Sequence, residues 1–158
     1  MEDNNKATIV VLSGDMDKVF AAFTIATGCA AAGMDTAMFF TFWGFNAIKK
    51  GNRTGEGVMG KMIGAMLPKD INGANPSKFS FGGMGRVMFK KMMGDKGVAS
   101  LEELRQTCID LGVRFWACKT SMDVMEIDRE DLIPEVEDIV GVAKMVAQAA
   151  NSKIQLFI

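Results

Sequence analysis

The sequence contains no histidine and no tyrosine. Without histidine, Ser-His-Asp and Cys-His triads, histidine-based zinc sites and the commonest general base near neutral pH are all excluded. Chemistry is left to cysteine, carboxylates, lysine, hydroxyls or backbone amides. A basic excess is missing too. Eighteen lysines and arginines face 19 acids, for a formal charge of −1 and a pI near 5.5. That balance gives no nucleic-acid footprint, because phosphates would go unneutralised. The three cysteines, at 29, 108 and 118, are an odd number with no CxxC pair, so no disulfide framework is expected. They read as reduced thiols in a cytoplasmic protein. The opening "MEDNNKATIVVLSG" is acidic and polar ahead of its first apolar run, unlike a signal peptide.

One stretch is nearly uncharged. Between Lys18 and Lys49 only Asp35 carries a charge, a length that would permit a membrane span. Gly28, Gly33 and Asp35 divide it, however, into an Ala-rich helix and a Phe-rich strand, so a buried helix followed by a strand is expected and a membrane partner is not.

The 158 residues predict a single domain over 1–158. "ATIVVLSGD" is a continuous β-branched run suited to a strand buried on both faces. Ser13-Gly14-Asp15 follows as a turn, with Ser13 or Asp15 capping a helix from about Met16 to Ala32 that stops at Gly33. "DTAMFFTFW" gives a second strand and "VRFWAC" a third. Ahead of the third, "SLEELRQTCIDLG" carries a capping box at Ser100 and Glu103. "SMDVMEI" reads as a short helix, "DREDLIPEVEDIVGVAKMVAQAAN" as a turn and a long helix, and "SKIQLFI" as a closing strand. The alternation predicts a doubly wound α/β domain, with a mainly parallel four- to five-stranded sheet and helices on both faces.

The centre, at about 44–97, breaks this rhythm as a Met/Gly-rich helical insertion. Met59, Met62 and Met66, and again Met84, Met88 and Met92, each form one stripe on a helix. Two uses fit such stripes: adaptable core packing, or a partner or oligomer surface. Copper binding through thioethers lacks accompanying Cys or His ligands. The lysines and arginines between Lys49 and Lys96 alternate with apolar residues and read as a solvated helix face.

Ligands and chemistry in parallel sheets gather beyond the carboxyl ends of the strands. Cys118 stands at such an end, with Thr120 or Ser121 placed to cap the helix that follows. Helix amides and the dipole's positive end would favour a thiolate there, and Lys119 adds a neighbouring cation. A buried, unreactive strand-end cysteine fits the same position. Asp123, early in the helix, reads either as an acid/base or as a first-turn acid. Ser13, Gly14 and Asp15 would approach Cys118 if their strands were neighbours, and their amides could then hold an anion. Neither GxGxxG nor Walker A is present, and "GGMGR" at 82–86 does not follow a strand. Cys29 and Cys108 lie on apolar helix faces and read as core.

The opening "KATIVVLSGDMDKVFAAFTIATGCAAAGMDTAMFFTFWG", the Met- and Gly-rich centre and "GVRFWACKTSMDVMEI" together resemble the DsrE/DsrF-like proteins over nearly the whole chain. "AC-x-x-SMD-x-M" is the most specific part. The resemblance implies a five-stranded parallel sheet flanked by helices, assembly into homo- or hetero-oligomers, and sulfur relay through a persulfide on a strand-end cysteine. That cysteine matches Cys118; Cys29 and Cys108 match no motif. Related chains are often labelled peroxiredoxin-family, but the Thr- and Arg-flanked peroxidatic loop is not in this sequence. The expectation is a sulfur carrier or sulfurtransferase-like protein that exchanges sulfur with donor and acceptor proteins, forms a homo-oligomer and needs no cofactor. Its rival is a non-catalytic module holding a nucleotide or other anionic small molecule at the strand carboxyl ends. A third possibility is a membrane-associated protein using the Ala/Phe stretch and the Met stripes.

Overall fold

Five parallel strands form one sheet in the computed structural model, which describes residues 5–158. The first residues of the polar opening read as unlike a signal peptide, 1–4, lie outside that range. The strands are β1 (Lys6–Val11), β2 (Asp35–Phe40), β3 (Arg114–Cys118), β4 (Val136–Val140) and β5 (Ile154–Phe157), in the order β4-β3-β2-β1-β5. Helices α1 (Met16–Ala31), α4 (Leu101–Asp110), α5 (Lys119–Met125) and α6 (Val142–Ala150) supply the crossovers, and α2 (Val58–Met66) and α3 (Met84–Asp95) lie between β2 and α4. This is the doubly wound α/β architecture that the alternation of elements predicts.

The central strands explain the uninterrupted apolar runs. Residues 36–40 of β2 are all buried, because β2 is flanked by β1 and β3 and covered on both faces. Side chains alternate, so Met38 and Phe40 share one face with Ile9 and Val11, their partners in register. Helix α1 covers that face, where Phe40 and Phe115 stack edge to face at 5.3 Å and Phe23 lies within 6.3 Å of both. Thr8 and Val10 point the other way, toward α6, and the Thr8 hydroxyl hydrogen-bonds Ser152 at 2.9 Å.

One element departs from expectation. Residues 136–140, read as part of a long helix, are strand β4, and the helix begins only at Val142. The cause is β4's place at the sheet edge. Its acids Glu137 and Asp138 face solvent, blunting an edge that would otherwise pair with another chain, and this hides the strand pattern. Trp116 beside it is held by Glu137, which accepts from the indole at 3.0 Å, and by Arg114 and Lys144 over its ring.

The Met/Gly-rich centre is assembled the reverse way from a core helix. In α2 the buried residues are Gly60 and Gly64, while Met59, Met62 and Met66 are each more than half exposed. A Cβ on Gly64 would sit 2.0 Å from the Thr54 carbonyl oxygen, so only glycine lets the helix approach that closely. In α3 only Gly85 is buried, and Met84, Met88 and Met92 face outward. The methionine stripes are therefore surface, not core. Polar clamps hold the region in place. The Asp17 carboxylate accepts from the amide and hydroxyl of Ser77, at 2.7 Å each. The buried Lys49 ammonium donates to the Pro68 carbonyl at 2.8 Å, and Arg86 donates to the Gly73 carbonyl at 2.9 Å. Burial holds Lys49 below the usual lysine range, opposed by the charges of Asp131 and Asp70.

This division of labour predicts a contrast between two truncations. Phe115→Ala, at the centre of the ring cluster, is expected to cost about 3–5 kcal/mol in urea unfolding. Met62→Ala, on the outer face of α2, is expected to stay within about 0.5 kcal/mol of the parent.

Candidate functional site

Cys118 is the last residue of β3 and the N-cap of α5. It is 8 % exposed, just beneath the surface, and it is a free thiol. Neither Thr120 nor Ser121 caps α5. No side chain performs that role, and the Ser121 hydroxyl is instead buried against the Thr41 hydroxyl at 2.6 Å. This bond ties the end of β2 to the helix that starts at Cys118, which fixes where the thiol sits. Lys119 and Asp123, one turn apart, pair with each other on the exposed side of α5. Thr120 is exposed beside them.

The Ser13–Asp15 turn does not meet Cys118. Strand β2 lies between β1 and β3, which separates the two strand ends by two spacings, about 10 Å. The gap is filled by a 3-10 turn at Phe42–Ala47, whose Gly44 amide bonds the Leu12 carbonyl at 2.9 Å. Gly14 presses on this turn so closely that a Cβ would lie 2.4 Å from the Trp43 carbonyl oxygen. Asp15 is the N-cap of α1, but its side chain makes no capping bond and pairs with Lys18 at 3.0 Å. The amides of Ser13, Asp15 and Met16 are already engaged. Ser13 donates to the Ile158 carbonyl, Asp15 to the Ser13 hydroxyl and Met16 to the Asn75 carbonyl. A cavity of about 220 Å³ opens beside Gly14 and Asp15, floored by Trp43 and Asn46. Asp15 is its charged lining residue, a poor match for a phosphate.

The other two thiols are placed as packing. Cys108 is fully buried, within 3.2 Å of the Thr27 hydroxyl and 3.4 Å of the Phe23 carbonyl. Burial pushes the Cys108 thiol up, partly offset by Thr27, and burial likewise pushes Cys29 up. Both are thereby kept as neutral thiols, the less nucleophilic form. No cluster of His, Cys, Asp and Glu side chains that could hold a metal ion occurs among the described residues.

Two residues of this neighbourhood escaped sequence reading. Thr41 is one, because its partner Ser121 is 80 positions away. Glu126 is the other. It closes α5 in the left-handed region at φ 51°, and its carboxylate accepts from the amides of Glu56 and Gly57 at 2.6 and 2.8 Å. Those amides hold the carboxyl below its usual range. A Cβ on Gly60 would fall 1.9 Å from the same carboxylate. Helix α2 is thus docked on the helix that begins at Cys118. A sequence signal for Glu126 exists only in hindsight: a glycine-rich segment, "TGEGVMG", that exposes amides to a distant acid.

Residues 3–157 match the model of the DsrE/DsrF/DrsH-like family. The chain is 37% identical over 159 residues to the uncharacterized protein YrkE of Bacillus subtilis, covering 99% of each. It is 31% identical over 160 residues to the sulfur carrier protein DsrE2 of Allochromatium vinosum, again covering 99% of each. Among solved structures, the ychN protein of E. coli matches with a TM-score of 0.55 at 12% identity, over 97% of this chain and 99% of that one. The protein MTH1491 of Methanobacterium thermoautotrophicum matches with a TM-score of 0.50 at 16% identity, over 97% and 98%. These two likenesses concern the fold.

Two outcomes are expected at this site. Thr41→Val leaves the buried Ser121 hydroxyl without its partner and is expected to cost about 1–3 kcal/mol, whereas Thr41→Val with Ser121→Ala is expected to recover most of that loss. A double-mutant cycle in urea checks this. The Glu126 clamp, with its folded pKa below 4.5, contributes fully above that pH and is lost as pH falls through the lower folded value. Protection factors of the α2 amides, taken against intrinsic exchange at each pH, are therefore expected to fall below about pH 4.5 in the parent, and to be low without this pH dependence in Glu126→Ala.

Proposed function

The chain belongs to the DsrE/DsrF/DrsH-like family, and from that premise we propose that it relays sulfane sulfur as a persulfide on Cys118. The observation that carries the reading is the position of this thiol at the carboxyl end of β3 and the start of α5. Of the three cysteines it alone matches the strand-end placement expected of a persulfide carrier, while Cys29 and Cys108 are buried in helices.

The transfer is balanced without an external oxidant. The Cys118 thiolate attacks the outer sulfur of a donor persulfide, forming Cys118–S–SH as the donor S–S bond breaks and the donor leaves as a thiolate. An acceptor thiolate then attacks the outer sulfur of Cys118–S–SH, takes it as its own persulfide and frees the Cys118 thiolate. One sulfane sulfur moves at each step, and the pair of thiols exchange oxidation level. No histidine is needed, which suits this composition. Thr41 and Ser121 act as positioning residues, holding the start of α5 against the end of β2. Lys119, exposed at the first position of α5, is paired with Asp123, so an anionic donor persulfide competes with that carboxylate for its charge.

Incubation with polysulfide, followed by intact mass measurement, tests the assignment. The parent is expected to gain one sulfur, released by a thiol reductant, and Cys118→Ser to gain none. Cys29→Ser and Cys108→Ser should load like the parent. An unmodified parent, or loading that survives Cys118→Ser, would sink the proposal.

A further inference from the structure

We propose that α3 and the loop before it form a peripheral docking face for an anionic phospholipid surface. Charge is distributed very unevenly in this chain. Residues 49–96 carry ten lysines and arginines against three acids, a net of +7, which leaves −8 on the remainder of a chain whose total is −1. Within 77–96 there are five basic residues and the single acid Asp95, itself paired with Lys91 at 2.8 Å.

The same stretch displays apolar side chains that a soluble face would bury. Phe79, Phe81, Met84, Val87, Met88 and Met92 are each more than half exposed. Phe79 and Phe81 sit at positive φ, 59° and 42°, a costly conformation for a bulky residue, and their rings pack together at 5.9 Å on the outside of the molecule. A cationic rim around an apolar face is the pattern that binds the headgroup and acyl boundary of an anionic bilayer. No described helix is long and apolar enough to cross a membrane, so contact would be peripheral.

A lipid suits the surface better than an acidic protein partner because of what lies beneath it. An apolar cleft of about 440 Å³ runs between α1 and α3, lined by Phe20, Pro76, Phe79, Phe89 and Met93. Its polar edge is Asp17, Ser77 and Lys78; the Asp17 carboxylate accepts from Ser77 and stays ionised beside Lys78, so the attraction for an anionic surface comes from the basic residues of 77–96 taken together rather than from this edge. The shape and apolar lining fit part of an acyl chain. A second copy is disfavoured, since two such faces would bring like charges together. Because the glycine face of α3 is already fixed against Phe79 and Ser80, the helix is ordered before it docks.

Flotation of the full chain with vesicles tests this directly. With roughly three parts phosphatidylcholine to one part phosphatidylglycerol, binding is expected at low salt and should weaken steeply as salt rises. Pure phosphatidylcholine vesicles should bind at least about tenfold less. Phe81→Ser with Met88→Ser, neither of which lines the cleft, should abolish flotation while leaving the circular dichroism unchanged. Lys78→Glu with Lys91→Glu should lower binding by at least about 25-fold, at about fivefold for each cation lost and further repulsion from each acid gained. If either pair misfolds, Val87→Ser with Met92→Ser replaces it. No flotation, equal flotation with neutral vesicles, flotation unaffected by these pairs, or an oligomer that Phe81→Ser with Met88→Ser dissociates would each overturn the proposal. Cys118→Ser should float like the parent, so this result is independent of sulfur loading.

Discussion

Side chains gripping the main chain are what make this molecule one structure. The sheet and its crossover helices have an apolar core of ordinary kind, but the segment carrying α2 and α3 buries only glycines from those two helices. It is fastened by carboxylates that accept from amides, at Glu126 and Asp17, and by cations that donate to carbonyls, at Lys49 and Arg86. Such charge-assisted bonds are roughly twice as strong as neutral ones. Two of the gripped backbone groups belong to Gly57 and Gly73, and Gly60, Gly64 and Gly85 let the helices approach their neighbours closely. The composition of the segment follows from this: glycine where backbone approaches closely, methionine where nothing covers the helix.

The same constraint links the segment to the candidate site. Helix α5 begins at Cys118, is pinned at Ser121 by Thr41 and ends at Glu126, which holds the start of α2. One short helix therefore touches the end of β2, the end of β3 and the Met-rich segment. Glu126 couples the start of α2 to the helix that starts at the thiol, its carbonyl holding the Gly55 amide and its carboxylate those of Glu56 and Gly57. The thiol itself lies just below the surface, so small movements of its helix bear on whether a partner can reach it.

Much of this was legible in advance where the physics is local. The runs "ATIVV", "TAMFF" and "RFWAC" announce buried strands because both faces of each are covered. The capping box at Ser100 and Glu103 forms as read, with both hydrogen bonds made. Edge and long-range features were not legible. β4 hides behind Glu137 and Asp138, whose charges belong to an edge strand but read as a helix surface. Ser121 looked like a helix cap because its true partner, Thr41, is distant in sequence. Ser13 to Asp15 looked like an anion cradle, yet the Ser13 amide is taken by the Ile158 carbonyl, the Asp15 amide by the Ser13 hydroxyl, and the next amide, of Met16, by the Asn75 carbonyl. Family resemblance singles out Cys118 as the candidate where pattern does not, because a strand-end cysteine has the same local sequence whether reactive or inert.

The outward methionines have a consequence for how the protein meets oxidants. Its thiols are buried or nearly so, whereas six thioethers on α2 and α3 stand in solvent. An oxidant arriving from outside encounters sulfur that converts to sulfoxide before it encounters sulfur that converts to sulfenic acid. Each conversion makes an apolar face more polar and adds one oxygen. Two oxygen atoms weigh nearly as much as one sulfur atom, so a doubly oxidised chain and a chain carrying one extra sulfur nearly coincide in mass. Their chemistry separates them: a simple thiol strips sulfane sulfur and leaves a sulfoxide in place.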